Sequence, residues 1–267
     1  MHPMLNIAVQ AARAAGRVIL QHMDRVDALH IEEKHKNDFV SEVDRMAEQA
    51  IIDVIRHLYP DHGFHAEESG KTRANNDFIW IIDPLDGTTN FLRGIPQFSV
   101  SIALKERGRL AQGVVYDPAK EELFTAGRGN GAQLNGRRLR VSPRRELNGA
   151  LFATGFPFRH PNLRDAHMGL LTKLVEETGD IRRQASAALD LAYVAAGRLD
   201  GFMELALNEW DIAAGALLVQ EAGGLVGDPN GGHNHLESGH ILAANAKLFA
   251  ATVKKLGNPP LPPRRRS

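Results

Sequence analysis

Two aspartates three residues apart, Asp83 and Asp86, sit in the stretch WIIDPLDGTTNF, with a glycine and two threonines directly behind them. Paired acids at the end of an apolar run can hold hard cations, and the residues that follow can turn backbone amides toward an anion. Those capacities belong together where cations bridge carboxylates to a phosphate ester. A residue before proline disfavours the helical region, so Asp83 stays extended, and Pro84 turns the chain to bring Asp86 beside it. Gly87 permits close backbone approach. Thr88 and Thr89 read as the opening of a helix, whose first amides have no intrahelical partners. The plain alternative is an Asp-Pro turn; a buried strand end followed by Gly and Thr favours chemistry.

Further acids stand in suggestive contexts. HAEESG places Glu67 and Glu68 in a loop ahead of the strand, where a solvated acidic loop is the competing reading. EWDIAAGALLVQEAGG puts Asp211 at the start of an apolar helix with a Gly-Gly stop, where an ordinary helix cap would also explain it.

The elements that must position these acids are legible in outline. MHPMLNIAVQAARAAGRVIL reads as an amphipathic first helix. A second carries Phe39, Val43, Met46, Ala47, Ala50, Ile51, Val54, Ile55 and Leu58 on one face, opens near Asp38 and Asp44, and ends at Tyr59-Pro60. Phe78 to Ile82 reads as a strand buried on both faces. From Phe98 onward, alternation and turns at Arg107-Gly108, Asp117-Pro118 and Asn135-Gly136 predict an antiparallel meander. Beyond Pro143, strand and helix patterns alternate, predicting an α/β layer. The expected organisation is α+β, with an N-terminal half over 1–142, a C-terminal α/β half over 143–257, and a disordered Pro/Arg tail over 258–267.

Composition narrows the function classes. The 267 residues hold no cysteine, which removes disulfides, thiolate metal sites and cysteine nucleophiles; cytoplasm is the default compartment. Lys+Arg and Asp+Glu are both 32, so no global basic field announces nucleic acid. No apolar run approaches the roughly 20 residues of a membrane span. GRGNGAQLNG is followed by strand and turn signals rather than a helix, so it is a poor dinucleotide loop. His233, His235 and His240 lie in a Gly-rich stretch read as a polar turn, and Phe156-Pro157-Phe158 reads as packing.

DPLDGTTN, the EES upstream and WDIAAGALLVQEAGG downstream together resemble the signature segments of the inositol monophosphatase family, Mg²⁺-dependent and lithium-sensitive phosphomonoesterases. The resemblance implies a layered α/β/α/β/α sugar-phosphatase fold, a homodimer, and two or three Mg²⁺ ions per site. By it, Glu67, Asp83 and the carbonyl of Leu85 bind one ion, and Asp83, Asp86 and Asp211 bind a second. Glu67 and Thr88 orient the attacking water, with Asp44 hydrogen-bonded to Thr88. Asp86, the amides of Gly87 and Thr88, the segment Ala185, Ser186 and Ala187, and Glu204 meet the substrate. At Ala185 family members usually carry Gly. A family lysine near the site corresponds to Lys34 or Lys36, with Lys34 favoured.

The implied activity is hydrolysis of myo-inositol 1-phosphate, with related monoesters such as glycerol 2-phosphate accepted. Sister families act on fructose 1,6-bisphosphate, nucleotide 3′,5′-bisphosphates or NADP, but no added basic pocket for a second phosphate is evident. The rival class is a binding role. One bacterial branch of the family is linked to ribosomal RNA antitermination, through association with RNA polymerase or RNA. Arg137, Arg138, Arg140, Arg144 and Arg145, with Arg264 to Arg266, offer a local basic patch, though a solvated face is its plainer reading.

Overall fold

The computed structural model describes residues 2–23, 31–35, 38–72 and 75–261. Its helices are α1 (Pro3–Met23), α2 (Glu42–Leu58), α3 (Thr88–Leu92), α4 (Arg164–Val175), α5 (Ala187–Ala195), α6 (Glu209–Glu221), α7 (His235–Ser238) and α8 (Ala246–Leu256). The first strands are β1 (Ile31–His35), β2 (Asp38–Ser41), β3 (His62–Ala66), β4 (Gly70–Lys71), β5 (Asn75–Asp86), β6 (Ser99–Glu106), β7 (Arg109–Asp117), β8 (Glu122–Gly127), β9 (Gly131–Leu134) and β10 (Arg137–Arg138). The remaining ones are β11 (Leu151–Ala153), β12 (Asp180–Arg182), β13 (Gly201–Glu204), β14 (Leu225–Gly227) and β15 (Ile241–Ala244).

Beside the β1-β2 pair, two sheets form: β10-β9-β8-β7-β6-β5-β3-β4 and β12-β11-β13-β15-β14. The meander from β6 to β10 is antiparallel as its alternation predicts, whereas β3 pairs with β5 in parallel, with the short β4 between them in the chain. The smaller sheet is mixed: β11 pairs β12 and β13 in parallel, and β15 runs antiparallel to β13 and β14.

Three apolar cores stack these elements into five layers, α/β/α/β/α. The pleat of β5 shows how: Trp80 and Ile82 enter the core shared with α1 and α2, while Ile81 enters the one beneath α5 and α6. That second core also takes Phe202, Ile241 and Ala243 from the smaller sheet, so α5 and α6 lie between two sheets. Helices covered on both sides are apolar all round. Close packing there needs small residues: a Cβ on Gly215 would stand 2.5 Å from Leu191 of α5, and one on Gly113 would stand 3.2 Å from the Ala214 carbonyl. Phe152, Met203 and Leu242 turn the outer face of the smaller sheet toward Leu170 and Leu174 of α4 and Leu248 and Leu256 of α8.

The second helix differs from its expected form. Phe39 lies in β2, paired with Glu33, and α2 begins at Glu42. Met46 and Leu58 are exposed, because the buried stripe runs through Val43, Ala47, Ile51 and Ile55 and takes in Asp44 and Glu48. A helical period read from apolar residues alone cannot register buried acids. GRGNGAQLNG forms the β8-β9 turn and β9, and Asn135, at φ 47°, turns the chain into β10. Arg264 to Arg266 and Lys36 lie outside the described residues; Lys34 falls in β1, its side chain outside what is described.

Candidate active site

Pairing along β5 sets the first two acids. Asp83 is in register with Ser101 of β6 and Asp86 with Ser99, so the Pro84-Leu85 pair is looped out of the ladder between them. The Leu85 amide donates to Asp83 Oδ1 at 3.0 Å. Gly87 follows at φ 100°, a left-handed conformation that favours glycine, and a Cβ there would stand 2.9 Å from the Gln97 carbonyl. The Thr88 hydroxyl opens α3 within 3.0 Å of both Asp44 Oδ1 and the Leu85 carbonyl, and its one proton serves them in turn. Asp44 is 1% exposed on α2, so this link ties the loop to the first helical layer.

Glu67 stands just past β3, where its amide donates to the Ile82 carbonyl at 3.1 Å and prolongs the β3-β5 pairing by one step. The loop after it is held by Glu48, a residue the sequence did not flag. Its carboxylate accepts from the Glu68 and Ser69 amides, both at 2.8 Å. An acid in mid-helix carries no local signature of such a role. Asp211 arrives from the other side, as the third residue of α6. It does cap, its Oδ2 accepting from the Asn208 amide at 2.6 Å, and it also faces Asp83 and Asp86 closely enough to act on both.

The electrostatics follow from this convergence. Burial pushes the Asp83 carboxyl well above the usual carboxylate range, and Glu67, Asp86 and Asp211 each push it further. Asp86 is pushed up to about 7 by burial and Asp211, against hydrogen bonds from Ser186, Ala188 and Ala187. Ser186 Oγ and the Ala188 amide both donate to Asp86 Oδ2 at 2.7 Å, so the start of α5 holds this acid. Ala185 precedes it at φ 64°, a strained conformation for a residue with a Cβ. Asn90 ties the same loop to α3, its Nδ2 donating to the Gln184 carbonyl at 2.8 Å.

Glu204, at the end of β13, belongs to the same field. Burial raises it to about 8, Asp211 and Asp86 add to the rise, and Arg183 and Arg159 oppose it. Gly155 makes room for it, since a Cβ there would stand 2.3 Å from its carboxylate. Asp190 was not foreseen. It is raised by burial, Glu204 and Asp86, and accepts from Gln184 Nε2 at 3.0 Å.

Nearby, Glu209 has the opposite character. Burial alone would raise it, but hydrogen bonds from His65 and Lys105 outweigh burial and hold it below its ordinary value.

The donors around Asp83 are all oxygen, their number of negative charges suits divalent cations, and the charges that act on Asp83 are other carboxylates. In those terms the residues fit Mg²⁺, although among the described residues no three acids or histidines are already drawn into a closed ligand set. Two surface cavities lie elsewhere: one of about 570 Å³ is lined by Arg107, Arg109 and Arg128, and one of about 490 Å³ by Arg144, Arg145 and Asp200. Arg137, Arg138, Arg140, Arg144 and Arg145 are exposed. His235 and His240 are buried rather than in an open turn, and His240 Nδ1 accepts from the Ala206 amide at 3.2 Å. Phe156 packs edge-on against His167 at 5.6 Å, whereas Phe158 is exposed beneath Arg183.

The model of the inositol monophosphatase family matches residues 1–258. A protein from Pseudomonas aeruginosa named Nus factor SuhB is 54% identical over 268 residues, covering 98% of both chains. The structure of the extragenic suppressor protein suhB from Bartonella henselae superposes with a TM-score of 0.93 at 44% identity, covering 96% of this chain and 99% of that one. An inositol monophosphatase from Anabaena (Nostoc) sp. PCC 7120 superposes at 0.86 with 38% identity, covering 97% and 96%.

Proposed function

The chain belongs to the inositol monophosphatase family, and we propose that it hydrolyses phosphate monoesters of polyols, with myo-inositol 1-phosphate leading and glycerol 2-phosphate accepted. One observation carries this reading: Glu67, Asp86 and Asp211, from three separate segments, all act on the buried carboxyl of Asp83. Glu67, Asp83 and the Leu85 carbonyl would hold one Mg²⁺, and Asp83, Asp86 and Asp211 a second. Bound there, the ions would supply acidified water near neutral pH and neutralise charge on the phosphoryl and leaving oxygens.

The chain's own groups supply orientation. Thr88, its hydroxyl aligned by Asp44, and Glu67 would direct the attacking water in line with phosphorus. The amides of Gly87 and Thr88 would donate to phosphate oxygens, and Glu204, with the Ala185, Ser186 and Ala187 segment, would meet the alcohol. Lithium would inhibit. The proposed working unit is a cytoplasmic homodimer in which residues 1–142 and 143–257 meet at the site. Phosphate release from a panel of monoesters with Mg²⁺, with and without Li⁺, tests the reading. Absence of release from every monoester would falsify it.

A second reading rests on one finding, the name Nus factor carried by the Pseudomonas aeruginosa relative. Under it the chain also joins a transcription complex, through RNA polymerase or RNA, with the exposed arginines from Arg137 to Arg145 as contact face. A metal-ligand variant that keeps the cellular role while a multiple Arg→Ala variant loses it would separate this role from hydrolysis. The converse result removes it.

A further inference from the structure

Glu209 opens α6 two residues ahead of Asp211, and its carboxylate reaches back to the large sheet. Oε2 stands 2.9 Å from His65 Nδ1 on β3, and Oε1 accepts from Lys105 Nζ on β6. These two strands flank β5: His65 is in register with Ile81, and Lys105 with Ile79. A single carboxylate therefore bridges over β5, just upstream of Asp83. The surrounding contacts tighten the junction. Trp210 sets its ring edge-on to His65 with centroids 5.2 Å apart, and its carbonyl accepts from the hydroxyl of Ser101, the register partner of Asp83, at 3.2 Å. His65 lies two residues before Glu67 on the same run of chain. The side chains of His65, Glu209 and Lys105 are only 15%, 17% and 21% exposed, so water screens this network weakly.

We infer that Glu209 is a positioning residue which, through Lys105 and His65, fixes how closely the start of α6 docks on the sheet and thereby how tightly the acid cluster binds a divalent cation. The inference rests on the metal-dependent reading of that cluster. Asp211 faces Asp83 and Asp86, and like charges at close quarters drive α6 away from β5. The Glu209 bridge pulls the same turn of helix toward the strands on either side of Asp83. Ligands held near their working positions before the cation arrives bind it more tightly than ligands that must be gathered.

Mg²⁺ binding by the full chain, measured calorimetrically without substrate and beside the kcat and KM of phosphate release, tests this. Glu209→Gln is expected to weaken Mg²⁺ binding about tenfold, while kcat at saturating Mg²⁺ stays within about twofold of the parent. That change also removes a negative charge near the site, so Lys105→Met provides the control and serves alone if Glu209→Gln does not fold. If Lys105 acted only through its field, losing its positive charge would tighten cation binding; the bridge requires weaker binding. Parental affinity in Glu209→Gln, or tighter binding in Lys105→Met, overturns the inference alone. A parent chain that binds no Mg²⁺ overturns the metal-dependent reading and this inference with it.

Discussion

Two groups of enclosed acids face each other across two residues of α6, and they respond to burial in opposite ways. Around Asp83 and Asp86 the neighbouring charges are other carboxylates, which add to the effect of burial and raise both groups. Around Glu209 the neighbours are His65 and Lys105, whose hydrogen bonds overcome burial and lower it. Desolvation has the same sign at both places, so the partners decide the outcome. The Glu209 group is electrostatically complete within the chain. Among the described residues the charges that act on the Asp83 carboxyl are other carboxylates, an arrangement that a divalent cation would relieve and that is unfavourable to the fold.

That contrast breaks most visibly at Asp83. Asp83→Asn is expected to lower phosphate release by at least about a thousandfold and to raise the Tm of the metal-free protein by about 2 °C or more. Loss of turnover without gain in Tm would mean that the acids do not oppose folding. Removing a support should do the reverse. Glu48→Ala leaves the Glu68 and Ser69 amides without their acceptor and is expected to cost about 2–3 kcal/mol in denaturant unfolding, with weakened phosphate release because Glu67 is no longer anchored.

His167 sharpens the comparison by isolating burial from charge. It is 0% exposed on α4, neither ring nitrogen has a hydrogen-bond partner among the described residues, and burial lowers it to about 4 from 6.5. The unfolded chain takes up this proton first, so its contribution is intact above pH 6.5 and is lost as pH falls toward 4. Between pH 7 and pH 5 the parent should lose about 2 kcal/mol more than His167→Phe in unfolding experiments. Equal losses would show that this ring is protonated as readily in the fold as in the unfolded chain. The smallest effect belongs to Ala185→Gly. Relief of the left-handed strain at φ 64° should stabilise the chain by about 0.5–1 kcal/mol in the same measurement. No gain would mean that the loop against Gly87 does not carry that strain.

Much of the frame was legible because local physics enforced it. The meander followed from alternation and turn residues, and the strand carrying Asp83 from an apolar run, although β5 does not end at Pro84 but continues to Asp86 across an irregularity in its register. Glu48, Asp190 and Glu209 were not legible, since nothing in an acid's immediate neighbours says that it is buried or what it will meet. Phe39 misled because one apolar residue at helical spacing is also one apolar residue in a short strand.

The sequence by itself determined which side chains can do chemistry and which segments present them, since residue type, proline sterics and periodicity act over a few positions. Tertiary structure alone decided that Asp211 meets Asp83, that Glu209 finds Lys105 and His65, and that the partners of a buried carboxyl shift it in opposite directions. Those outcomes depend on the dielectric and partners at a point in space, which segments far apart in the chain create only by packing together.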